Sequence, residues 1–220
     1  NTLTSTATVN VTPLPTATLN NVVSPICQGN TSSFEFTVSN VATGQGWTMN
    51  YNEGSSTKTT SGNGPGTYTV STSALSAGTV TITLNSISTT GLTTNCTRNL
   101  TGQTMDITVN ATTTVGALGT DITVCKNNNS GNLTYNVGSS NGAVVRWESS
   151  VISASGPWTA ISNTTNSQAY INLSQTTFFR VVVKNGNCAE KESNVVTVSV
   201  QEIPVAFIGG SSVICAGNTA

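Results

Sequence analysis

Charged side chains are scarce in this sequence, and histidine is missing from it. Only 7% of its 220 residues are Asp, Glu, Lys or Arg, against roughly 25% in an average soluble protein. The formal net charge is −1, so the chain lacks the basic surface that binds the phosphates of nucleic acids. We therefore expect no nucleic-acid partner.

The few acidic residues do not form a catalytic pattern. General acid–base catalysis needs paired carboxylates or a histidine held by a scaffold. Asp106 and Asp121 fall on different predicted strands, whereas Glu190 and Glu192 share one face of a predicted hairpin. We interpret all four as solvated side chains, and we predict no catalytic residue, no cofactor and no enzyme activity.

Metal sites are also unsupported by the sequence. The five cysteines include no Cys-x-x-Cys pair, and zinc sites need closely spaced Cys or His ligands. Asp121 and Glu190 could offer carboxylates to a calcium ion between domains, but they lack the clustered spacing of a calcium loop. We predict no metal-binding residue.

Long apolar runs are absent as well. No stretch approaches the ~18 consecutive apolar residues of a membrane helix, and residues 1–30 lack the charged and apolar segments of a signal peptide. We expect no membrane contact by this segment, and any export signal or anchor would lie outside it.

The sequence is rich in alternating patterns that are typical of β-strands. Apolar and polar residues alternate in "FEFTV" (Phe34–Val38) and "WTMNY" (Trp47–Tyr51), as half-buried strands require. Gly- and Asn-rich turns such as "SGNGPG" (Ser61–Gly66) separate these strands. Almost no helix is predicted.

The cysteines reveal an internal repeat, because they recur about every 90 to 100 residues, near the usual size of one domain. An early set opens the similar segments "SPICQGNTSSF", "ITVCKNNNSGNLTY" and "SSVICAGNTA", and a later set follows within each unit. The early set is Cys27, Cys125 and Cys215, and the later set is Cys96 and Cys188. Trp47 and Trp147 follow their early cysteines at nearly equal distances, so the register is kept.

Units of this length with about seven short strands and a tryptophan on the third strand indicate an immunoglobulin-type Greek-key β-sandwich. We predict an all-β fold of tandem Ig-like Greek-key β-sandwich domains arranged end to end, with Trp47 and Trp147 in their cores. Residues 1–18 would be the terminal strand of a preceding repeat. Repeat one would span 19–112, repeat two 113–204, and the start of a third repeat 205–220.

Several motifs carry a family resemblance. They are Cys-x-Gly-Asn-Thr before the second strand (B), Trp in the third (C), "TTFFRVVVKNGNCAEKESNVVTVSV" (Thr176–Val200) across the last two strands (F and G), and Ile/Pro linkers. The chain resembles the Ig-like repeats of giant cell-surface proteins of gliding Bacteroidetes, including gliding-motility adhesins exported by the type IX secretion route. Asn127, where the motif has Gly, and a long F–G segment in repeat one depart from it.

The resemblance implies a structural stalk segment of a long extracellular adhesin filament at the cell surface, serving adhesion and gliding motility. The expected partners are neighbouring repeats of the same polypeptide, with surface glycans or substratum bound through other parts of the protein. The alternative function is an accessory or carbohydrate-binding Ig-like module of a secreted enzyme. Trp158, in the loop-like "SGPWTAI", is the candidate ligand contact, although packing of its ring over the sheet is the simpler interpretation; Arg146 and Arg180 are interpreted as surface cations.

The cysteine positions favour disulfides in an oxidising compartment, and the odd count suggests that a partner is missing from the chain. The early cysteine precedes strand B and the late one follows strand F. Strands B and F run parallel in an Ig sandwich, so the two thiols of one unit lie at opposite ends. A strand of seven residues spans roughly 23 Å, whereas a disulfide needs Cα atoms within about 7 Å.

Two pairing schemes remain open at this point. The preferred scheme joins Cys27 to Cys188 across the junction of two head-to-tail units, and it leaves the other three cysteines to neighbouring repeats outside the chain. These three are Cys96, Cys125 and Cys215. The other scheme pairs Cys27 with Cys96 and Cys125 with Cys188. A covalent link beside the "QEIPV" linker (Gln201–Val205), stiffened by Pro204, would suppress bending between units.

Overall fold

The computed structural model describes residues 11–205 and residue 209, and every regular element in that part of the chain is a β-strand. These residues contain no helix that is long and apolar enough to cross a membrane. The chain divides into two compact units. Unit 1 contains the residues up to Thr114 together with Lys184–Lys191, and unit 2 contains Val115–Val183 together with the residues from Glu192 onward.

Unit 1 has a β-sandwich of two sheets. Its strands are β1 (Thr16–Val22), β2 (Ile26–Cys27), β3 (Thr31–Ser39), β4 (Gly46–Glu53), β5 (Ser56–Asn63), β6 (Gly66–Ala74), β7 (Gly78–Thr90), β8 (Thr97–Asn99) and β9 (Thr104–Asn110). One sheet has the order β1-β3-β6, and the other has the order β2-β9-β7-β4-β5, with β8 paired to β7. All pairs are antiparallel except β2 with β9, which run parallel.

Unit 2 repeats this arrangement. Its strands are β10 (Ala117–Leu118), β11 (Ile122–Cys125), β12 (Ser130–Asn136), β13 (Ala143–Ser150), β14 (Thr159–Ile161), β15 (Ser167–Ile171), β16 (Thr177–Lys184), β17 (Lys191–Glu192) and β18 (Val196–Gln201). One sheet is β10-β12-β15 and the other β11-β18-β16-β13-β14, with β17 paired to β16. The short β11 runs parallel to β18, as β2 does to β9.

The alternating strand patterns form the core of unit 1. Phe34, Phe36, Trp47 and Met49 are at most 1% exposed, because every second side chain of β3 and β4 points into the space between the two sheets. The rings of Phe36 and Trp47 meet edge to face with centroids 5.8 Å apart. The Trp47 indole N–H donates to the Gly64 carbonyl at 3.0 Å, which satisfies its buried polar group.

Trp147 has the same role in unit 2. It is fully buried, and its indole N–H donates to the Thr165 carbonyl at 2.8 Å. The surrounding core includes Tyr135, Val181 and Val198, which are also buried. Both tryptophans therefore lie in the cores of their units, where the repeat places them.

The domain limits differ from those predicted. The boundary between residues 18 and 19 falls inside β1, because Ala17 and Leu19 both continue its alternation and are buried in the core of unit 1. Lys184–Lys191, which was assigned to repeat two, clusters with unit 1. The predicted strand at residues 1–10 and nearly all of the predicted third repeat lie outside the described residues.

The motif departure at Asn127 has a conformational explanation. Gly29 has φ +85° and Asn127, at the equivalent turn, has φ +56°. Asn is one of the few residues other than Gly that adopts this left-handed region readily. The turn is the same in both units: the Gly29 N–H donates to Leu75 O at 2.9 Å, and the Asn127 N–H donates to Leu173 O at 3.0 Å.

We expect Phe36→Ala to lower the free energy of unfolding of unit 1 by about 3–5 kcal/mol, because it opens a cavity among packed aromatic rings. Hydrogen exchange of the β4 amides, measured as a function of urea concentration, reports the stability of unit 1 separately from that of unit 2. Val23→Ala, at a side chain that is 51% exposed, is the matched control and should change stability by less than about 0.5 kcal/mol. Equal effects of the two substitutions would contradict the core assignment.

Candidate functional site: the Cys27–Cys188 disulfide

Cys27 is positioned by the parallel pairing of two strands. Ile26 is the register partner of Val109, and Cys27 is the partner of Asn110, the last residue of β9. The Gln28 N–H donates to the Asn110 carbonyl at 2.8 Å, which fixes the turn that follows. Cys27 therefore lies at the end of the sandwich where β9 finishes.

A disulfide joins Cys27 to Cys188, the pair that the strand geometry favoured in the sequence. The two Cα atoms are 4.8 Å apart, and the cysteines are separated by 161 residues of sequence. The other scheme, with Cys27–Cys96 and Cys125–Cys188 bonds, is not adopted, and Cys96 and Cys125 are free thiols. Cys188 is only 2% exposed, so its sulfur is packed within unit 1.

The segment that carries Cys188 is held in unit 1 by hydrogen bonds as well. Asn187 Nδ2 donates to Pro25 O at 2.6 Å, and Asn185 Nδ2 donates to Ala111 O at 2.9 Å. The Thr113 hydroxyl donates to Ala189 O at 2.7 Å and accepts from the Asn185 N–H at 3.1 Å. Two of these four hydrogen bonds therefore end on main-chain carbonyls outside the segment, and the other two depend on the Thr113 hydroxyl.

Gly186 allows this close fit. Its φ is +51°, in the left-handed region that favours glycine, and a Cβ there would collide with the side chain of Asn110. The chain enters this segment directly from β16 and leaves it through β17, both of which continue into unit 2. The segment Lys184–Lys191 is therefore bonded to unit 1 while both of its ends belong to strands that continue in unit 2.

The remaining cysteines have different environments. Cys96 is half-buried in the segment between β7 and β8, where its N–H donates to the Thr89 hydroxyl at 2.8 Å. Cys125 is exposed at the end of β11. Cys215 lies outside the described residues. Partners for these three thiols in neighbouring repeats stay a prediction.

Trp158, the candidate ligand contact, is half-buried, and a protein cation covers one of its faces. The Arg180 guanidinium carbon lies 4.3 Å from the ring centroid, within the range of a cation–π interaction. Arg180 Nε also donates to Glu148 Oε2 at 2.6 Å, and Arg146 Nε donates to Glu148 Oε1 at 2.7 Å. Both arginines are partly buried and paired, so their interpretation as simple surface cations is wrong.

Glu148 is the centre of this cluster, and sequence reasoning missed it. Its side chain is 8% exposed. Burial alone would raise the pKa of Glu148, but the hydrogen bonds and charges of Arg146 and Arg180 outweigh burial and hold that pKa below its usual value. The sequence signal was the Arg-x-Glu spacing, which places Arg146 and Glu148 on the same face of one strand.

The acidic residues of the sequence analysis do not come together. Asp106 accepts a hydrogen bond from the Thr81 hydroxyl at 2.6 Å, and Asp121 accepts one from the Thr197 N–H at 2.8 Å. Glu190 and Glu192 are exposed. Within residues 11–205 and 209, no group of three or more His, Cys, Asp or Glu side chains is placed to hold a metal ion.

Comparison with solved structures places this architecture among Ig-like β-sandwich folds. A family described as "Domain of unknown function (DUF8696)" matches residues 114–202. That range is less than half of the chain and corresponds to the second repeat. No curated protein sequence matches this chain.

Solved structures are similar in fold at low sequence identity. A "Ca2+-stabilized adhesin" that "helps an Antarctic bacterium reach out and bind ice" is 10% identical with a TM-score of 0.55, over 89% of this chain and 51% of that one. A "Marsupial T cell receptor" is 10% identical with a TM-score of 0.54, over 89% of this chain and 75% of that one. The prediction of tandem Ig-like Greek-key β-sandwich domains is confirmed.

We expect the double variant Cys27→Ser/Cys188→Ser to keep both sandwiches but to loosen the segment Lys184–Lys191. Without the bond, that segment is held by a few hydrogen bonds, so its amides should exchange roughly tenfold faster or more. Hydrogen exchange with mass spectrometry of peptides covering these residues measures the change. Cys96→Ser/Cys125→Ser, which removes the two free thiols, is the control; identical exchange in both double variants would show that the disulfide does not hold the segment.

We expect Glu148→Gln to destabilise unit 2 by about 1–3 kcal/mol at neutral pH, because two arginines lose a charged acceptor. Since the folded-state pKa is lowered, the stabilisation is present above the ordinary glutamate pKa of about 4.3 and is lost as the pH falls through the lowered value. Urea unfolding at several pH values should show the two proteins converging in acid.

The matched control for this variant is Glu202→Gln, which breaks the exposed pair of Glu202 with Lys126, 2.7 Å apart. Exposed pairs contribute up to about 1 kcal/mol, so this variant should stay close to the wild type. A pH-independent difference between Glu148→Gln and wild type would contradict the role of the carboxylate charge.

Proposed function

We propose that this chain is a structural stalk segment of a long extracellular adhesin at the cell surface, in which disulfides restrict bending between successive Ig-like repeats. The single observation that carries the proposal is the Cys27–Cys188 bond, which ties a segment continuous with the strands of unit 2 into unit 1. In such a chain, tension passes between successive units through the disulfide as well as through the peptide linker. We infer that it serves to extend an adhesive region away from the cell.

The fold and the redox chemistry support the extracellular setting. Disulfides persist in oxidising environments, such as secreted proteins and cell surfaces. The structural similarity to an ice-binding bacterial adhesin supports an adhesion role for domains of this type. Adhesion to a substratum, gliding motility and export by the type IX route are the finer parts of the proposal, and they rest on the sequence motifs alone.

The composition suits a stalk. Only 7% of the residues are charged, so hydroxyl and amide groups provide most of the polar surface. Interactions between such surfaces depend weakly on ionic strength, because few charges are available for salt to screen. A stalk of this kind would keep its mechanical properties across waters of different salinity.

The alternative, a carbohydrate-binding module of a secreted enzyme, gains no support from the described residues. Sugar binding by Trp158 would need an accessible ring face, and Arg180 already covers one face of this half-buried ring. We therefore favour the structural role.

The test is the distribution of distances between two labels, introduced as unnatural amino acids at exposed positions. Ser55 in unit 1 and Ser155 in unit 2 are suitable positions. We expect a narrow distribution in the oxidised protein and a clearly broader one in Cys27→Ser/Cys188→Ser, because the linker alone should allow more bending. Pulsed electron–electron double resonance between two spin labels measures both distance distributions, with Cys96→Ser/Cys125→Ser as the control protein. Equal widths in all three proteins would reject the stapled stalk.

A further inference from the structure

The end of unit 2 that carries Cys125 repeats the backbone geometry of the Cys27 end of unit 1. Cys125 is the register partner of Gln201 in the parallel pairing of β11 with β18, as Cys27 is the partner of Asn110. In both units the residue after the cysteine donates its N–H to the carbonyl of that same partner at 2.8 Å. The turns that follow both have a left-handed residue at the same position, Gly29 in one unit and Asn127 in the other. The two ends are therefore equivalent sites on equivalent units.

The two sites differ in what covers them. In unit 1, the segment Lys184–Lys191 lies against the site and bonds to Cys27. In unit 2, Cys125 is an exposed thiol on a pocket of about 460 Å³, lined also by Val124, Asn129 and Ile171. Ile171 is 69% exposed, which is unusual for an isoleucine on a strand.

We propose that this pocket is the docking site for the cysteine-bearing F–G segment of another Ig-like unit of the same kind, and that Cys125 bonds to its cysteine. The F–G segment is the stretch between the last two long strands, which carries Cys96 in unit 1 and Cys188 in unit 2. The inference rests on the proposed function, because an array of repeats is what presents such a segment to each unit.

The occupant is argued from the filled site in unit 1. Both F–G segments have asparagine directly before cysteine, as Asn95–Cys96 and as Asn187–Cys188. Asn187 uses this amide to bind a main-chain carbonyl of unit 1, at Pro25. A second segment with the same Asn-Cys pair has the same donor and the same sulfur to offer.

The residue before the Asn-Cys pair differs between the two segments, because Thr94 stands at the position of Gly186. The side chain that crowds Gly186 is that of Asn110. Its counterpart in unit 2 is Gln201, so the close contact that requires glycine is specific to unit 1.

The equivalent site of unit 2 keeps the main-chain acceptors but lacks the hydroxyl. In unit 1, Asn185 of the segment donates to the Ala111 carbonyl directly after β9, and the Glu202 carbonyl stands at the equivalent position directly after β18. Main-chain carbonyls do not depend on side-chain identity. Two hydrogen bonds are lost, because Pro204 stands at the position of Thr113, whose hydroxyl both donates to the segment and accepts from it.

The covalent step is a thiol–disulfide exchange. The Cys125 and partner thiols each lose a proton, an Sγ–Sγ bond forms between them, and the S–S bond of an oxidised low-molecular-weight disulfide breaks. That disulfide accepts the two electrons and the two protons and leaves as two thiols. Oxidised glutathione supplies this chemistry in the test.

A second copy of the chain supplies the segment experimentally, through its Cys96. We use the full chain with Cys215→Ser, equilibrate it at high concentration in a glutathione redox buffer, and map the linked peptides under non-reducing conditions. The expected product is an intermolecular Cys96–Cys125 disulfide in clear excess over Cys96–Cys96 and Cys125–Cys125. A mixture of the three pairings without preference, or glutathione adducts alone on both thiols, overturns the proposal.

A matched pair of variants separates docking from random collision of thiols. Ile171→Arg places a charge in the pocket, whereas Ile152→Arg places one at a side chain with similar exposure, 71%, outside the residues that line the pocket. We expect Ile171→Arg to lower the yield of the Cys96–Cys125 product roughly fivefold or more, as for a contact within an interface, and Ile152→Arg to leave it unchanged. Equal yields from both variants would refute docking at the pocket.

The outcome can be separated from that of the proposed function. If the Cys96–Cys125 product shows no preference while the Cys27–Cys188 bond still narrows the distances between the two labels, docking at Cys125 is wrong and the stapled stalk stands. If the product forms selectively but the label distances are insensitive to the Cys27–Cys188 bond, docking stands and the stiffening role is wrong.

Discussion

The parallel pairing of β2 with β9 is the constraint on which the rest of this molecule depends. A strand of only two residues cannot contribute much stability, but its pairing fixes Cys27 beside Asn110, at the end of the first sandwich. If the chain at Cys27 instead continued β1 in the other sheet, its sulfur would lie away from the end of β9. The disulfide, the hydrogen bonds of Asn185 and Asn187, and the fit of Gly186 all follow from this placement.

The second unit has the same fold but is stabilised by a different set of interactions. Its long core strands bury valines and Trp147, while the three-strand sheet opposite is short. The Glu148 cluster adds charged hydrogen bonds on two adjacent strands, and the Arg180 guanidinium covers Trp158 at the same time. Arg180 thus bonds one oxygen of a buried carboxylate and also covers one face of an aromatic ring, while Arg146 bonds the other carboxylate oxygen.

The sequence predicts the fold class, the core tryptophans and the favoured cysteine pair because these follow from period-two alternation and from the direction of Ig strands. It does not predict the membership of Lys184–Lys191 in unit 1. That depends on side-chain amides of Asn185 and Asn187 reaching carbonyls more than 70 residues away, and no local pattern reports such contacts. The first predicted boundary falls inside β1 because the strand begins directly after Pro15, and the sequence pattern joins its first residues to the segment that precedes it.

Glu148 was missed for a related reason. Charged residues on a strand are usually solvated, and only the neighbouring strand, β16, brings Arg180 within reach of the carboxylate. The cluster is a tertiary feature, so the Arg-x-Glu spacing indicates half of it at most.

The path of the chain between the two units has a consequence for its resistance to proteases. The backbone passes from one unit to the other three times, after Thr114, after Val183 and after Lys191. The Cys27–Cys188 disulfide attaches the segment Lys184–Lys191 to unit 1. A protease that cleaves once between Thr114 and Val115 therefore cannot release either unit, because Cys188 still leads from Cys27 into the strands on both sides of it. Such a chain can be cleaved at the peptide bond that joins its two units and still remain in one piece.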